Sequence, residues 1–378
     1  MKGFLTTHKG MEDIASLEVK ELIGSKATIK ESCIVFNIKN YEDLFKLCYL
    51  SQSAIGIYFY LSEFNYKDLF NDFKKNIKKI KFEEWLSKKT TFKVKCSKNH
   101  ENDLPTPELE KELGAIIIEQ IKEKSKYSQK VDLNNPDIIV FVYISNKKCY
   151  IGIDFAGFDL SKRSYNLFAH PAAVRGTITY ALVRLSAFEK KEALLDPFSG
   201  SGMIPIEAAL FASNMPVNFY NKEKFIFLKF NKFTKFNFEK FFKKIDEKII
   251  NKAKSKIYNL DTSMKNISFA KKNAKIAGME KKITYSRMES EWLDTKFKKE
   301  TINKIITKIP SNPDIEKLYN EFFYQAEFIL NKKGKIALIG KKEQIRKYTL
   351  KYKFKIEEER EIYSGKEQYG VFVLLKKG

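Results

Sequence analysis

The segment from Leu194 to Leu210 constrains the fold more than any other part of the chain. It reads Leu-Leu-Asp-Pro-Phe-Ser-Gly-Ser-Gly, followed directly by Met-Ile-Pro-Ile-Glu-Ala-Ala-Leu. An apolar run, a glycine-rich turn and an apolar helix predict a strand–turn–helix unit with the turn at the carboxyl end of a buried parallel strand. Gly200 and Gly202 would let the backbone approach a ligand closely, because neither carries a Cβ.

The chemistry of this turn indicates a nucleotide-like ligand that carries no phosphate. No Lys-Ser or Lys-Thr pair follows the glycines, as it would in a loop that binds a triphosphate. The acid of the turn can accept hydrogen bonds from hydroxyl or amine groups. We therefore expect S-adenosylmethionine here, bound by Asp196, Pro197, Phe198, Ser199, Gly200, Ser201 and Gly202.

The rest of the C-terminal half predicts a doubly wound parallel sheet. Strands are expected at 193–196, 256–261, 283–287, 304–307 and 335–340, and an antiparallel edge hairpin at 355–363 and 369–377. Ligands bind at the carboxyl ends of such strands. We therefore expect Asp261 to accept from ribose hydroxyls and Glu289 to accept from an adenine amino group, although acids at loop starts are often only surface residues.

The N-terminal half predicts two smaller α/β modules. The first, within residues 1–65, has the β/α alternation of a ferredoxin-like unit. The second, from 66 to 160, is expected to contain a strand at 92–96, a helix at 109–122, a β-branched strand at 136–144 and a hairpin partner at 149–155. A chain of 378 residues is long enough for several such units.

Composition narrows the partners and the compartment. The formal net charge is +23, from 70 Lys and Arg against 47 Asp and Glu, which favours a polyanion such as nucleic acid or, equally, a lysine-rich solvated surface. The scattered cysteines and histidines predict neither disulfides nor a metal site; they are Cys33, Cys48, Cys96, Cys149, His8, His100 and His170. Without a signal peptide or membrane span, a cytoplasmic protein is expected.

The chain resembles the THUMP-domain RNA methyltransferases. Their class I motif, D-P-F-C/S-G-S-G-T-I-P-I-E-A-A, is intact from Asp196 to Ala209, except that Met203 replaces the usual Thr. Segments 135–140, 152–157 and 160–165 match the family's N-terminal half in the same order. The resemblance implies a ferredoxin-like subdomain at 1–65, a THUMP RNA-binding domain at 66–160 and a Rossmann-like methyltransferase domain at 161–378.

This resemblance also implies an activity. Within the family the chain is most similar to the archaeal and bacterial enzymes that methylate guanine N2 in the tRNA acceptor stem, with rRNA guanine methyltransferases as near relatives. It implies an S-adenosylmethionine-dependent enzyme that forms N2-methylguanosine on a flipped base. The expected partner is RNA, tRNA before rRNA, with neither a membrane nor DNA.

The expected catalytic loop departs from the family pattern. The family has Asn or Asp, two prolines and an aromatic residue after the fourth strand; here these positions hold Lys308, Ile309, Pro310 and Ser311. A protonated lysine offers only donors, and serine cannot stack on a base. Three explanations stay open: a working variant that uses backbone carbonyls and an aromatic residue from elsewhere, action on a different atom, or lost catalysis in a non-catalytic RNA-binding protein.

RNA contacts are predicted only coarsely. The basic candidates are Lys93, Lys95, Lys98, Lys162, Arg163, Arg175 and Arg184. The insertion 221–254 interleaves lysines with eight phenylalanines, from Phe225 to Phe242. Such a pattern can form a stacking surface for RNA, but we expect these rings to pack the insertion onto the sheet.

Overall fold

The computed structural model describes residues 1–99, 105–251 and 254–377; His100 lies outside this part of the chain. The N-terminal module contains strands and helices β1 (Lys2–Thr6), α1 (Glu12–Ile23), β2 (Ala27–Lys30), β3 (Cys33–Asn37), α2 (Glu42–Leu50), β4 (Gly56–Asn65), α3 (Leu69–Ile77), β5 (Thr91–Lys98), α4 (Thr106–Ser125), β6 (Lys130–Val131), β7 (Ile138–Ser145) and β8 (Lys148–Asp154).

The two predicted N-terminal units share one sheet. Its order over the described residues is β2-β3-β1-β4-β8-β7-β5-β6. The long strand β4 joins the units by pairing antiparallel with β8, with Tyr58 opposite Asp154 and Phe64 opposite Cys149. Because no break separates the units in the sheet, the limits 1–65 and 66–160 stay a prediction.

The C-terminal module contains α5 (Gly176–Leu185), β9 (Ala193–Asp196), α6 (Met203–Ala212), α7 (Phe238–Asp246), β10 (Lys256–Asp261), α8 (Met264–Ile276), β11 (Ile283–Arg287), α9 (Leu293–Lys296), β12 (Ile302–Lys308), α10 (Ile315–Ile329), β13 (Leu330–Ile339), α11 (Lys342–Lys351), β14 (Phe354–Ser364) and β15 (Glu367–Lys376). The sheet order is β11-β10-β9-β12-β13-β15-β14. Every neighbouring pair from β11 to β13 is parallel, and β15 and β14 form the antiparallel edge.

Alternating apolar side chains cover both faces of this second sheet. In β9, Leu194 packs into the core beneath α5, α6 and α8, whereas Leu195 packs into the core beneath α10 and α11. Successive residues of a strand point to opposite faces, so a short buried run fills both cores. The doubly wound sheet and its edge hairpin are therefore confirmed.

The phenylalanine-rich insertion packs onto the N-terminal module. It runs through short 3₁₀ turns at Phe219–Lys224, Ile226–Lys229 and Asn231–Phe233 and then through α7. Phe227 lies 4.6 Å, ring centre to ring centre, from Phe45 of α2, and Phe230 lies 5.8 Å from Trp85. These rings pack the insertion against the protein, as expected, but the expected partner was wrong: they enter the core of the N-terminal module and not the cores on the C-terminal sheet.

Six short or polar elements among the described residues were not predicted: α3, α7, α9, α11, β2 and β6. Helix α11 buries little beyond Ile345, Tyr348 and Thr349, so its apolar periodicity is weak. Strands of two to four residues leave almost no alternating pattern to detect. No helix in the described part of the chain is long and apolar enough to cross a membrane.

Candidate active site

Three of the expected site residues lie at one edge of the C-terminal sheet. Asp196 ends β9, Asp261 ends β10 and Lys308 ends β12. These strands are parallel neighbours, with β9 between the other two. Ligands of open α/β sheets bind at this carboxyl edge, so the structure brings the expected cofactor acids and the expected catalytic loop to the same place.

The glycine-rich turn is tied to the end of β10. The amide of Ser199 donates to the carbonyl of Leu260 at 2.9 Å, and the amide of Gly200 donates to a carboxylate oxygen of Asp261 at 2.9 Å. Gly202 has φ +81°, and a Cβ there would lie 2.8 Å from the Cβ of Ala270. This position therefore requires glycine both for its backbone angle and for the approach of α8.

Asp196 is a buried carboxyl with a perturbed acidity. It accepts from the hydroxyl of Thr307 at 2.6 Å and from the amide of Phe198 at 3.2 Å. Burial raises the pKa of Asp196 to about 7, and the nearby charge of Asp261 adds to that rise. A cationic ligand beside Asp196 would favour the carboxylate form, because opposite charges stabilise each other at short range.

Asp261 is held in one orientation at the rim of the site. Besides the amide of Gly200, it receives the amide of Ser263 at 2.9 Å and the side-chain amide of Asn266 at 3.0 Å. Its carboxylate is partly exposed. A fixed and accessible carboxylate suits the hydroxyl donors of a ribose, although its contact with a ligand stays a prediction.

Several polar atoms around the turn lack partners in the described structure. They are the hydroxyls of Ser199 and Ser201 and both amide atoms of Asn259. Asn259 lies directly opposite Asp196 in the sheet. Buried polar groups are normally paired, so these atoms, the raised pKa of Asp196 and the bare glycine backbone fit a ligand that offers hydroxyl and amine groups.

The expected adenine contact lies in the loop after β11. Glu289 is exposed there and precedes the short 3₁₀ turn Ser290–Trp292. Because β11 is the neighbour of β10, this loop lies on the same side of the sheet as Asp261. The proposed contact between Glu289 and the adenine amino group stays a prediction.

The loop that follows β12 does not present the expected acceptor. Lys308 donates to the backbone carbonyl of Ala172 at 3.0 Å, and burial lowers its pKa. The side chain of Ile309 is buried in the apolar core, so this residue can offer only backbone groups. Pro310 and Ser311 are exposed. A catalytic role of these four residues stays a prediction.

The connector between the modules (157–175) lies across the glycine-rich turn. The side chain of Asn273 bridges the carbonyls of Phe168 and Ser201, at 3.1 Å each. His170 stands over Gly200, since a Cβ on that glycine would be 3.6 Å from the imidazole ring. The connector therefore forms one wall of the candidate site.

Arg163, an expected RNA contact, instead belongs to a buried polar network between the modules. Its Nε donates to Glu207 of α6 at 2.6 Å, and its Nη2 donates to the carbonyl of Gln52 at 2.6 Å. Gln52 and Tyr165 donate to the same carboxylate. The expectation was wrong because sequence alone does not reveal this partner; Glu207 lies in the motif helix.

The other basic candidates divide into paired and cleft-lining residues. Arg184 pairs with Glu21 of α1 at 2.6 Å, and Lys93 donates to the carbonyl of Leu133. Lys95, Lys98 and Arg175 line a cleft of about 660 Å³ between the open face of the N-terminal sheet and the tip of the β14–β15 hairpin. Lys162 is exposed on the connector.

Comparisons with known proteins agree with this architecture. Residues 163–368 match the family described as UPF0020, the RMKL-like methyltransferase domain, and residues 67–154 match the THUMP domain. The tRNA (guanine(6)-N2)-methyltransferase of Methanocaldococcus jannaschii is 29% identical over 99% of this chain and 100% of its own length.

Two further similarities fit the same family. The ribosomal RNA large subunit methyltransferase K/L of Aliivibrio salmonicida is 26% identical over 75% of this chain and 41% of its own length. The crystal structure of a possible methylase from Clostridium difficile 630 superposes with a TM-score of 0.85, at 22% identity, over 100% of this chain and 98% of that one. The resemblance drawn from the sequence is confirmed: the chain belongs to the UPF0020 family of RMKL-like methyltransferase domains, here preceded by a THUMP domain.

Proposed function

We propose that this protein is an S-adenosylmethionine-dependent RNA methyltransferase that forms N2-methylguanosine in the acceptor stem of tRNA. The observation that carries the proposal is the similarity, over essentially the whole length of both chains, to an enzyme named for methylation of guanine 6 of tRNA at N2. The intact acids and glycines at the carboxyl edge of the sheet support it, because they retain the cofactor chemistry of the family.

The turn and the two strand ends are the proposed cofactor site. Asp196 accepts hydrogen bonds from the amine of the methionine moiety. Asp261 accepts from the ribose hydroxyls, and Glu289 accepts from the adenine amino group. S-adenosylmethionine supplies an electrophilic methyl group when it is bound. The residues of the protein contribute mainly position and electrostatics, because an amine lone pair needs only correct orientation toward that methyl group.

The N-terminal module is the proposed RNA grip. The limits 1–65, 66–160 and 161–378 describe the ferredoxin-like, THUMP and methyltransferase units. The cleft lined by Lys95 and Lys98 lies between the N-terminal sheet and the tip of the β14–β15 hairpin. The target amine is paired and stacked within an A-form stem, so the base must leave the helix before it can react. Such an enzyme works in the cytoplasm, where its RNA substrate is.

One observation favours a second candidate, a non-catalytic RNA-binding protein that keeps the cofactor pocket. Lys308 occupies the position of the acceptor in the family pattern, and its ammonium donates a hydrogen bond to the carbonyl of Ala172. This candidate predicts that the protein binds S-adenosylmethionine and RNA but transfers no methyl group. A guanine-N2 methyltransferase that acts on rRNA is the third outcome to separate.

The test uses purified protein, methyl-labelled S-adenosylmethionine and either unmodified total tRNA or unmodified rRNA. Digestion to nucleosides and mass spectrometry identify the product. Label in N2-methylguanosine from tRNA is the expected result. Label only from rRNA would replace the substrate, and label in another nucleoside would replace the target atom. Cofactor binding by calorimetry without any label would favour the non-catalytic protein.

A further inference from the structure

The loop after β12 lacks two groups that the family pattern provides for methylation of an exocyclic amine. The position of the acceptor holds Lys308, which donates to a backbone carbonyl, and the position of the stacking ring holds the exposed Ser311. If the proposed function is right, an aromatic ring comes from another element at the same edge of the sheet, and the acceptor is either a backbone carbonyl of this loop or a side chain of that element. The inference below rests on that function.

The edge hairpin brings a carboxylate and a ring to this place. Strand β15 runs antiparallel to β13, so its first residues lie beside the carboxyl end of β13, one strand away from that of β12. Lys308 is the register partner of Ile339, and Ile339 is the partner of Val371. Tyr369 and Glu367 precede Val371 by two and four residues, so all three point to one face of the strand.

The contacts connect these side chains to Lys308. The ammonium of Lys308 lies over the ring of Tyr369, 5.4 Å from its centre. The hydroxyl of Tyr369 donates to the carboxylate of Glu367. The charge of Glu367 acts on Lys308, where it opposes the fall in pKa that burial causes. Glu367 itself is exposed to solvent.

We propose that Glu367 is the catalytic acceptor for the exocyclic amine and that Tyr369 is the ring on which the target base stacks. In the protein without RNA, the ammonium of Lys308 occupies the position over that ring that the base takes in the complex. Lys308 leaves it when the base enters, because its ammonium stands on a flexible four-carbon chain and is held there by the carbonyl of Ala172, the ring of Tyr369 and the charge of Glu367, without a direct ion pair to any residue that the structure describes. A base gains affinity when it stacks on an aromatic face.

The carboxylate of Glu367 also accepts the proton that methyl transfer releases. The amine nitrogen gives the electron pair of the new bond to carbon, and the sulfur keeps the pair of the bond that breaks. The nitrogen then carries one hydrogen too many and releases it as a proton. Glu367 accepts this proton and passes it to water, since it is exposed to solvent.

The hairpin contains a matched control. On β14, the hydroxyl of Tyr363 donates to the carboxylate of Glu361, the same Tyr–Glu pair two residues apart. Glu361 is the partner of Gly370 in the register, one residue out of phase with Tyr369. Its side chain therefore lies on the opposite face of the hairpin, and Glu361→Gln changes the same chemistry away from the site.

The test measures single-turnover methyl transfer to tRNA by Glu367→Gln, Tyr369→Phe, Tyr369→Ala and Glu361→Gln. We expect Glu367→Gln to slow the step by about 100-fold, in the range of lost proton transfer. Tyr369→Ala should slow it by roughly tenfold or more through lost stacking. Tyr369→Phe should stay within about threefold of wild type because it keeps the ring. Affinity for S-adenosylmethionine, by calorimetry, should be unchanged in all four variants.

A second readout is independent of activity. A tRNA in which 2-aminopurine replaces the methylated guanosine reports stacking of that base by quenching of its fluorescence. Tyr369→Ala should give a brighter complex than wild type and Tyr369→Phe should not. If wild type methylates guanine N2 but Glu367→Gln matches Glu361→Gln, the inference on Glu367 is overturned alone, and equal brightness of all complexes overturns the role of Tyr369. A wild-type protein that transfers no methyl group overturns the proposed function as well.

Discussion

The carboxyl of Asp196 is buried in the protein and is also the proposed partner of a cationic ligand. Its pKa is raised to about 7, mainly by burial, above the ordinary value near 3.8. A group of this kind binds a proton more tightly in the folded state than in the unfolded state. Its contribution is therefore favourable at low pH, and stability is lost as the pH rises from about 4 through 7. An ammonium ligand reverses that balance by stabilising the carboxylate.

We expect Asp196→Asn to make the ligand-free protein more stable than wild type at pH 8, by about 2–4 kcal/mol. The advantage should shrink toward pH 4.5, where the wild-type carboxyl is protonated. The same variant should bind S-adenosylmethionine at least roughly tenfold more weakly, since an amide carries no charge to meet the amine. Urea denaturation at both pH values and calorimetry check these results. Equal stability differences at pH 4.5 and 8 would contradict the buried-charge explanation.

At the scale of single residues, the sequence predicts those site residues whose position follows from the end of their own strand. Asp196 and Asp261 follow from one rule, that acids at adjacent parallel strand ends meet at one edge. Arg163 and Tyr369 do not follow from it, because each acquires its role from a partner on another element. Glu207 turns a basic candidate into a buried ion pair, and the antiparallel return of β15 brings Tyr369 beside Lys308.

The insertion between α6 and β10 lies within the C-terminal module in the sequence, but its rings pack into the core of the N-terminal module. Its rings enter the core that includes Phe45, Trp85 and Phe155. The alternation of lysine and phenylalanine predicts an amphipathic excursion with a buried face. It does not predict which core receives that face, because both cores are apolar and within reach.

We expect Phe227→Ala to destabilise the protein by about 3–5 kcal/mol, as for other buried phenylalanines. Phe227 is fully buried against the N-terminal core, so the fluorescence of Trp85 should report the loss. Tyr220→Ala, directly before the insertion, is the control, since that ring is 59% exposed and its loss should change stability by less than about 0.5 kcal/mol. A large effect of Tyr220→Ala with none of Phe227→Ala would refute the packing.

At the scale of the molecule, the buried ion pair of Arg163 and Glu207 belongs to a network that links the two modules through Gln52. Both side chains are nearly inaccessible to water, and Gln52 extends the network into the N-terminal module. A buried pair is weak evidence of net stabilisation, but removal of one partner leaves an uncompensated charge. The orientation of the RNA grip relative to the cofactor edge therefore depends on this network.

Arg163→Met should cost about 3–5 kcal/mol, and the double variant Arg163→Met with Glu207→Gln should recover part of that loss. The chain has two tryptophans, Trp85 in the N-terminal module and Trp292 in the C-terminal module, so single-tryptophan versions report each module alone. Coincident urea transitions are expected in wild type and separated ones in Arg163→Met. Coincident transitions in both would show that the modules are coupled by other contacts.

The position of the phenylalanine-rich insertion has a consequence for synthesis of the chain. The N-terminal sheet is complete once β8 has left the ribosome, but the rings of residues 225–242 that pack against its core belong to a segment made later. At about 5–20 residues per second, that surface stays uncovered for several seconds. During this interval the nascent protein offers a large aromatic surface to chaperones and to neighbouring nascent chains, and the first half of the protein reaches its final state only after much of the second half exists.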